Sequence, residues 1–97
     1  MTRWYHRAAR KEFIEASQWY EDQREGLGEE FLAEVRRTLE RIEDNPRRFP
    51  KVFKDMRRAL VRRFPYQVLF VASGDLVSIF AVFHSARNPE IWKHRRD

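Results

Sequence analysis

Four arginines surround one short stretch of this 97-residue chain, and they are the first residues whose type and spacing could bind a ligand. The run from Met56 to Arg63 is predicted to be a strand, in which successive side chains point to opposite faces. Arg58 and Arg62 are therefore expected on one face, with Arg57 and Arg63 on the other. Guanidinium groups spaced along one face bind phosphates or carboxylates through paired hydrogen bonds. The alternative is that these arginines only protect an edge strand from aggregation.

A histidine beside a further arginine follows the last predicted strand, in the run His84-Ser85-Ala86-Arg87. A histidine at such a place has the chemistry of a general base or a phosphate ligand. A lone histidine that caps a turn is the structural alternative, and it is favoured here. Trp92 is predicted to anchor the core rather than to stack on a base, and Trp19 and Tyr20 are likewise predicted to pack inside.

Several other kinds of site are excluded by the sequence. The three glycines, at positions 26, 28 and 74, build no phosphate-binding loop, and the three histidines, at 6, 84 and 94, lack the spacing of metal ligands. The chain has no cysteine, so it has neither disulfide nor thiolate site. We therefore expect no metal and no cofactor. The helical carboxylates are interpreted as a solvated face, not as general acids or bases; they are Glu12, Glu15, Glu21, Glu40 and Glu43.

Charge is distributed very unevenly along the chain, whose net charge is +5. In residues 1–45, eight Lys/Arg against eleven Asp/Glu leave −3, whereas twelve against four leave +8 in residues 46–97. This asymmetry favours an acidic partner for the C-terminal half, either nucleic acid or an acidic protein. The alternative is a basic face that only keeps the protein in solution.

Apolar spacing places two helices in the N-terminal half, after a possible edge strand from Thr2 to His6. The first helix is predicted from Ala8 to about Arg24, and the turn Glu25-Gly26-Leu27-Gly28 separates it from the second. The second helix ends at Asp44-Asn45-Pro46 because proline cannot continue it. The stripes that define the helices are Ala9, Phe13, Ala16 and Tyr20 in the first, and Phe31, Val35, Leu39 and Ile42 in the second.

The C-terminal half is predicted to be a strand meander. After an irregular stretch from Arg47 to Phe53, strands are expected at Met56 to Arg63, Tyr66 to Ala72 and Leu76 to Phe83. The last is almost wholly apolar, so it is expected to be central and covered on both faces. Asn88-Pro89-Glu90 is typical of a helix start, and a short helix through Trp92 to Arg95 should follow.

These elements predict an α+β fold: an antiparallel helix hairpin packed on a small three- to four-stranded antiparallel sheet, with a short C-terminal helix. We expect one domain spanning residues 1–97. The N-terminus has no apolar stretch of signal-peptide length, and no apolar run is long enough to span a bilayer. Together with the lack of cysteine, this favours a cytoplasmic protein without a membrane partner.

Short runs along nearly the whole chain occur in the order that one known family shows. The N-terminal ones are Tyr5-His6, Glu12-Phe13, Trp19-Tyr20, Leu27-Gly28, Phe31-Leu32, Ile42 to Pro46 and Arg48-Phe49-Pro50. The most specific run is Arg58 to Tyr66, and the closing ones are Val82-Phe83-His84, Arg87-Asn88-Pro89, Trp92 and Arg95. The chain thus resembles toxins of the RelE/ParE superfamily, from type II toxin–antitoxin modules. Their fold, a helix hairpin on a small antiparallel sheet, agrees with the prediction above.

The resemblance implies two possible mechanisms. RelE-like members are ribosome-dependent mRNA endonucleases, whose catalytic cluster would correspond here to Arg62, Tyr66, His84 and Arg87. ParE-like members lack that chemistry and poison DNA gyrase. This chain has no clear tyrosine or paired histidine after the last strand, so the resemblance favours the ParE-like role, in growth inhibition and plasmid stabilization. A member that only binds its antitoxin is the third hypothesis.

The resemblance also implies a partner, a cognate antitoxin that forms a hetero-oligomer with the toxin. The helix hairpin and sheet should leave an apolar groove, flanked by arginines, for an amphipathic acidic antitoxin segment. The expected binding residues are Arg57, Arg58, Arg62, Arg63, Arg87 and Trp92.

Overall fold

The structure of the protein is a computed structural model that describes residues 2–96. The chain runs through β1 (Thr2–Tyr5), α1 (Arg7–Gln23), α2 (Leu27–Asp44), a 3₁₀ turn (Pro46–Arg48), β2 (Lys51–Phe53), β3 (Met56–Leu60), β4 (Tyr66–Ser73), β5 (Leu76–His84) and α3 (Glu90–Lys93). The α+β class and both long helices are confirmed, and their ends lie within two residues of the predicted ones. No helix in this part of the chain is long and apolar enough to cross a membrane.

The sheet is larger than predicted and is not wholly antiparallel. It has five strands in the order β1-β5-β4-β3-β2. The expected edge strand β1 is present, but it runs parallel to β5, with Thr2 opposite Leu76 and Tyr5 opposite Ile79. The predicted antiparallel sheet of three to four strands was wrong in this respect. The meander of β3, β4 and β5 is antiparallel, as expected.

The segment from Arg47 to Phe53 was predicted to be irregular and instead contains the 3₁₀ turn and the short strand β2. Pro46 and Pro50 do not prevent this regular structure. Pro46 is the first residue of the 3₁₀ turn, and Pro50 precedes β2, its carbonyl accepting a hydrogen bond from the Arg58 amide at 3.0 Å. A proline just before an edge strand removes no ladder hydrogen bond.

Strand β3 is shorter than predicted, and α3 ends before Arg95. The chain leaves β3 after Leu60 and turns back into β4, and the Val61 amide donates to the Tyr66 carbonyl at 2.9 Å. Arg63 has a positive φ of 71°, a left-handed conformation that strands do not use. The helix α3 covers Glu90–Lys93 only, and the Asn88 side chain accepts the Glu90 amide as the predicted cap would.

The two faces of the sheet carry different layers. Both long helices cover one face, and the C-terminal segment with α3 covers part of the other. Strand β5 contributes to both clusters, which confirms that it is covered on both sides, and Phe80 is the extra residue at its bulge. The helix-side cluster includes Ala9, Ala16, Phe31, Val35, Leu39, Ile42, Val68, Phe70, Val77 and Ile79, and the opposite cluster comprises Met56, Leu69, Val71, Phe80, Ala81, Phe83 and Trp92.

Two glycines shape the link between the helices. Gly26 has φ of 86°, and Gly28 lies where α2 passes α1 so closely that a Cβ atom would come 2.5 Å from the Ser17 carbonyl oxygen. The carboxylate of Glu21 accepts the amides of Gly26 and Gly28 at 2.9 and 3.0 Å. Glu21 therefore satisfies the free amides that begin α2, a role that the solvated-face interpretation missed.

Candidate functional site

Arg57 supports the backbone of the neighbouring segment. Its Nη1 donates to the carbonyl oxygens of Phe49 at 2.6 Å and Arg47 at 3.3 Å. These bonds hold the 3₁₀ turn against β3. The guanidinium that was expected to bind a ligand is thus largely occupied by the protein itself.

Arg58 and Arg62 do not share a strand face, because β3 ends between them. Arg62 lies exposed in the loop between β3 and β4. Burial lowers the pKa of Arg41, and the nearby positive charge of Arg62 lowers it further. Arg63 in the same loop pairs with Glu30 of α2, Nη2 to Oε1 at 2.7 Å, and lies 3.7 Å from Glu34. The prediction of two opposed arginine pairs was wrong, since it assumed that the strand continued to residue 63.

Three of the four predicted ribonuclease residues lie together. Tyr66, the first residue of β4, lies opposite His84, the last residue of β5. Their ring centres are 5.2 Å apart in an edge-to-face arrangement. Arg87 follows in the next turn, where its Cζ lies 4.6 Å from the centre of the Phe83 ring. Arg62 does not line the surface depressions that these three residues form.

An open groove lies between the helix layer and this end of the sheet. We call it the helix-side groove; its volume is about 460 Å³, and Trp19, Tyr20, Pro65, Tyr66, His84 and Arg87 line it. A smaller depression of about 220 Å³ continues from it along α1, beside Glu12 and Glu15. Carbon atoms dominate the lining of the groove, and Arg87 supplies the cation at its rim.

The protonation of the two titratable rings follows from their contacts. The Nδ1 atom of His84 accepts the Ala86 amide at 3.0 Å, so neutral His84 carries its proton on Nε2. Its lone pair is therefore used within the turn, which is the capping role predicted as the structural alternative. Burial, and then the neighbouring Tyr20, raise the pKa of Tyr66 above its usual value, and the opposing effect of Arg87 is smaller. Tyr66 thus keeps its proton at neutral pH.

Glu12 has a structural role that the sequence did not predict. Arg95 holds it in a two-pronged pair, with Nη1 to Oε1 at 2.9 Å and Nη2 to Oε2 at 2.7 Å. The Val82 amide also donates to Oε1, at 3.1 Å. Glu43 is similarly paired with Arg3, at 2.6 Å. The solvated-face prediction was wrong for Glu12 and Glu43, whereas Glu15, Glu21 and Glu40 are exposed as expected.

A second depression lies on the opposite side of the sheet, and we call it the sheet-side depression. Its volume is about 310 Å³. Trp92 forms its floor as a core residue, as predicted, only 4% exposed. The depression also shares Arg87 with the helix-side groove. The lining residues are Val52, Arg58, Gln67, Ser85, Arg87, Pro89, Trp92 and Lys93.

Sequence reasoning missed Trp19 and Lys93 as surface residues of these sites. Trp19 was expected to pack inside, yet it is 59% exposed, and its ring is nearly perpendicular to that of Tyr20 at 5.1 Å between centres. The spacing contained the information, because Trp19 lies one position outside the stripe of Ala9, Phe13, Ala16 and Tyr20. Within residues 2–96, acidic, histidine and cysteine side chains form no cluster of three that would hold a metal ion.

Comparisons with known proteins show a family and a shared fold. A family model described as "ParE toxin of type II toxin-antitoxin system, parDE" matches residues 4–89. A solved structure titled "Chromosomal ParDE TA system from P. aeruginosa" has the same fold, with a TM-score of 0.70 at 14% identity, over 87% of this chain and 95% of that one. No curated protein sequence matches significantly. Since the family model spans most of the 97 residues, the chain belongs to the ParE toxin family of type II toxin–antitoxin systems.

Proposed function

We propose that this protein inhibits growth by binding DNA gyrase in the cytoplasm, without cutting RNA, and that a cognate antitoxin neutralises it in a hetero-oligomer. Membership of the ParE toxin family supports the toxin role. The observation that carries the choice of mechanism is the hydrogen bond from the Ala86 amide to His84 Nδ1. It engages the one imidazole lone pair that lies among the predicted catalytic residues.

Cleavage by a ribose 2′-OH requires a group that accepts a proton near neutral pH. His84 uses its accepting nitrogen in the turn, and burial raises the pKa of Tyr66. The carboxylate of Glu12, 3.8 Å from Arg87, is held by Arg95 through both oxygens. These three groups near Arg87 are thus engaged or protonated, which supports binding over catalysis.

The test compares His84→Ala with the parent protein in three assays: growth inhibition, gyrase supercoiling and mRNA cleavage on ribosomes. We expect supercoiling to be inhibited, and both growth inhibition and supercoiling inhibition to change less than about threefold in the variant. A general base would contribute roughly 10²–10⁴ in rate. Codon-dependent cleavage that collapses by such a factor in His84→Ala would establish the ribonuclease instead. Tyr66→Phe serves as the companion variant, because it removes only the hydroxyl.

For the antitoxin, we propose the helix-side groove as the docking site of an amphipathic segment. The groove has a mainly apolar lining, and Trp19, which is 59% exposed, lines it; of the expected binding arginines only Arg87 does so. Tryptophan and arginine are enriched among residues that dominate binding energy. Arg87 at the rim matches the acidic residues expected of such a segment.

The groove is tested by measuring antitoxin affinity of Trp19→Ala against Ile14→Ala. Both side chains are exposed apolar residues of α1, at 59% and 47%, but Ile14 lies outside the groove. We expect Trp19→Ala to weaken binding at least about thirtyfold, the scale of an interface residue worth about 2 kcal/mol or more. Ile14→Ala should stay within about threefold. An equal or larger loss in Ile14→Ala would move the antitoxin to the outer face of α1.

A further inference from the structure

We infer that the outer face of α1 is a dimer interface, on which the same face of a second copy of this chain packs antiparallel across a two-fold axis. This goes beyond the proposed function, because it requires neither gyrase nor an antitoxin. The outer face consists of exposed residues only: Arg7, Arg10, Lys11, Ile14, Gln18, Glu21 and Asp22. An open depression of about 440 Å³ follows its first part and shares no lining residue with the helix-side groove.

The charges of α1 are arranged against its helix dipole. Cations lie at its start, at Arg7 and Arg10, and carboxylates at its end, at Glu21 and Asp22. The first turn has no acidic residue and the last turn no basic one, although the dipole favours the reverse. Arg24 follows the helix end, but it is paired with a carboxylate of α2. An antiparallel copy of α1 would place a negative helix end beside these cations and a positive end beside these carboxylates.

The two ends also match side by side. At about 100° per residue, Ile14 and Gln18 form the midline of the outer face. Each side of this midline holds one cation and one carboxylate, Lys11 with Asp22 on one side and Arg10 with Glu21 on the other. A two-fold axis between antiparallel helices brings equal sides together. With the axis beside residue 16, each cation therefore meets the carboxylate of its own side in the other copy, about 8–9 Å along the helix from the axis.

These charges are available to a second copy. Within residues 2–96, Arg7 and Asp22 make no ion pair and no side-chain hydrogen bond. Lys11 has an exposed contact with Glu15, at 3.8 Å. A purely acidic partner would be repelled at the Asp22 end of the face, and a purely basic one at the Arg7 end. The same helix in reverse direction matches both ends at once, which is why we assign the face to a second copy.

The dimer should be weak and sensitive to salt. Helix α1 has 17 residues and is thus about 25 Å long, so one helix face per copy buries less than the roughly 1,200 Å² of most stable complexes. Ile14, 47% exposed, is the apolar residue at the centre. Most of the specificity would therefore come from exposed ion pairs, which salt screens.

Sedimentation equilibrium of the toxin alone tests the inference. We expect a Kd of roughly 100 µM at about 50 mM salt, and at least about fivefold weaker association at about 0.5 M. Asp22→Lys and Lys11→Glu should each weaken association at least about tenfold. Symmetry repeats each change, and each of the two exposed pairs is worth up to about fivefold. The double variant restores opposite charges, so its Kd should return to within about threefold of the parent value.

Two variants on the exposed face of α2, Glu40→Lys and Arg36→Glu, change the net charge equally and should leave the Kd within about threefold. Asp22→Lys places a cation at a helix end where the dipole favours it, so the fold is preserved, as circular dichroism verifies.

A toxin that stays monomeric at about 1 mM protein and low salt would overturn the inference. So would a double variant that associates no better than the single ones. Antitoxin affinity that falls in Asp22→Lys while the toxin alone is monomeric would assign the face to the antitoxin instead. The measurement uses neither gyrase nor antitoxin for the dimer itself, so its failure is separate from failure of the proposed function.

Discussion

The pair of Glu12 and Arg95 ties three parts of the molecule together. Strand β1 accompanies β5 only as far as Ile79, and beyond that point the outer edge of β5 lacks a neighbouring strand. Glu12 accepts the Val82 amide there at 3.1 Å, and Arg95 donates to the Phe80 carbonyl at 2.8 Å. The two side chains, 12% and 10% exposed, thus replace the missing strand and join α1 to the C-terminal segment.

Replacing Glu12 with alanine should therefore be one of the most destabilising changes at a charged residue. It leaves Arg95 partly buried without its counter-ion and removes the acceptor of the Val82 amide. Breaking a buried pair costs about 3–5 kcal/mol. Allowing for slight exposure, we expect the free energy of unfolding to fall by about 3 kcal/mol. In a domain of this size the melting temperature should then drop by more than about 10 °C.

Urea unfolding followed by tryptophan fluorescence measures the loss, with Glu15→Ala as the control. Glu15 belongs to an exposed pair with Lys11 at 3.8 Å and is 62% exposed, so its removal should cost less than about 0.5 kcal/mol. A double-mutant cycle with Arg95→Ala should give a coupling of about 2 kcal/mol. A loss below about 1 kcal/mol in Glu12→Ala, or a coupling near zero, would refute the reasoning.

Two further changes probe the pH dependence and the helix packing. The hydrogen bond from Arg3 holds the pKa of Glu43 below its usual value, so its stabilisation is complete above about pH 4.5 and is lost as the pH falls through the folded-state pKa. Glu43→Gln should flatten the decline in unfolding free energy between about pH 5 and 3, and an unchanged slope would contradict this. Gly28→Ala should destabilise by about 1–3 kcal/mol in urea, despite a better helix propensity, because its Cβ would lie 2.5 Å from the Ser17 carbonyl oxygen. A more stable variant would show that the helices separate easily.

The elements that depend on local pattern could be predicted from the sequence. Phe31, Val35, Leu39 and Ile42 are all buried, so the apolar spacing identified the inner face of α2. The parallel pairing of β1 could not be predicted in this way. A four-residue strand contains no information about its partner, and Thr2 meets Leu76 only through tertiary structure.

The candidate site was predicted in part. The family resemblance grouped Arg62, Tyr66, His84 and Arg87, and the structure brings all but Arg62 to one edge, where β4 pairs with β5. The sequence could not predict on which side of the sheet each of the four arginines lies. The positive φ of Arg63 interrupts the alternation of side chains along the strand, and residue composition does not reveal that backbone conformation. The role of Glu12 was hidden because helical spacing shows which face a carboxylate lies on, but not that Arg95 approaches it from the far end of the chain.

The parallel pairing of β1 with β5 has a consequence for synthesis on the ribosome. Strand β1 finds its neighbour only after more than seventy further residues have been made. At bacterial and eukaryotic rates of roughly 5–20 residues per second, β1 waits for several seconds without a partner. Pairings so distant in sequence also slow folding itself. A chain whose translation stops before Leu76 lacks the strand that would receive Thr2–Tyr5, so β1 stays unpaired in the product of an interrupted message.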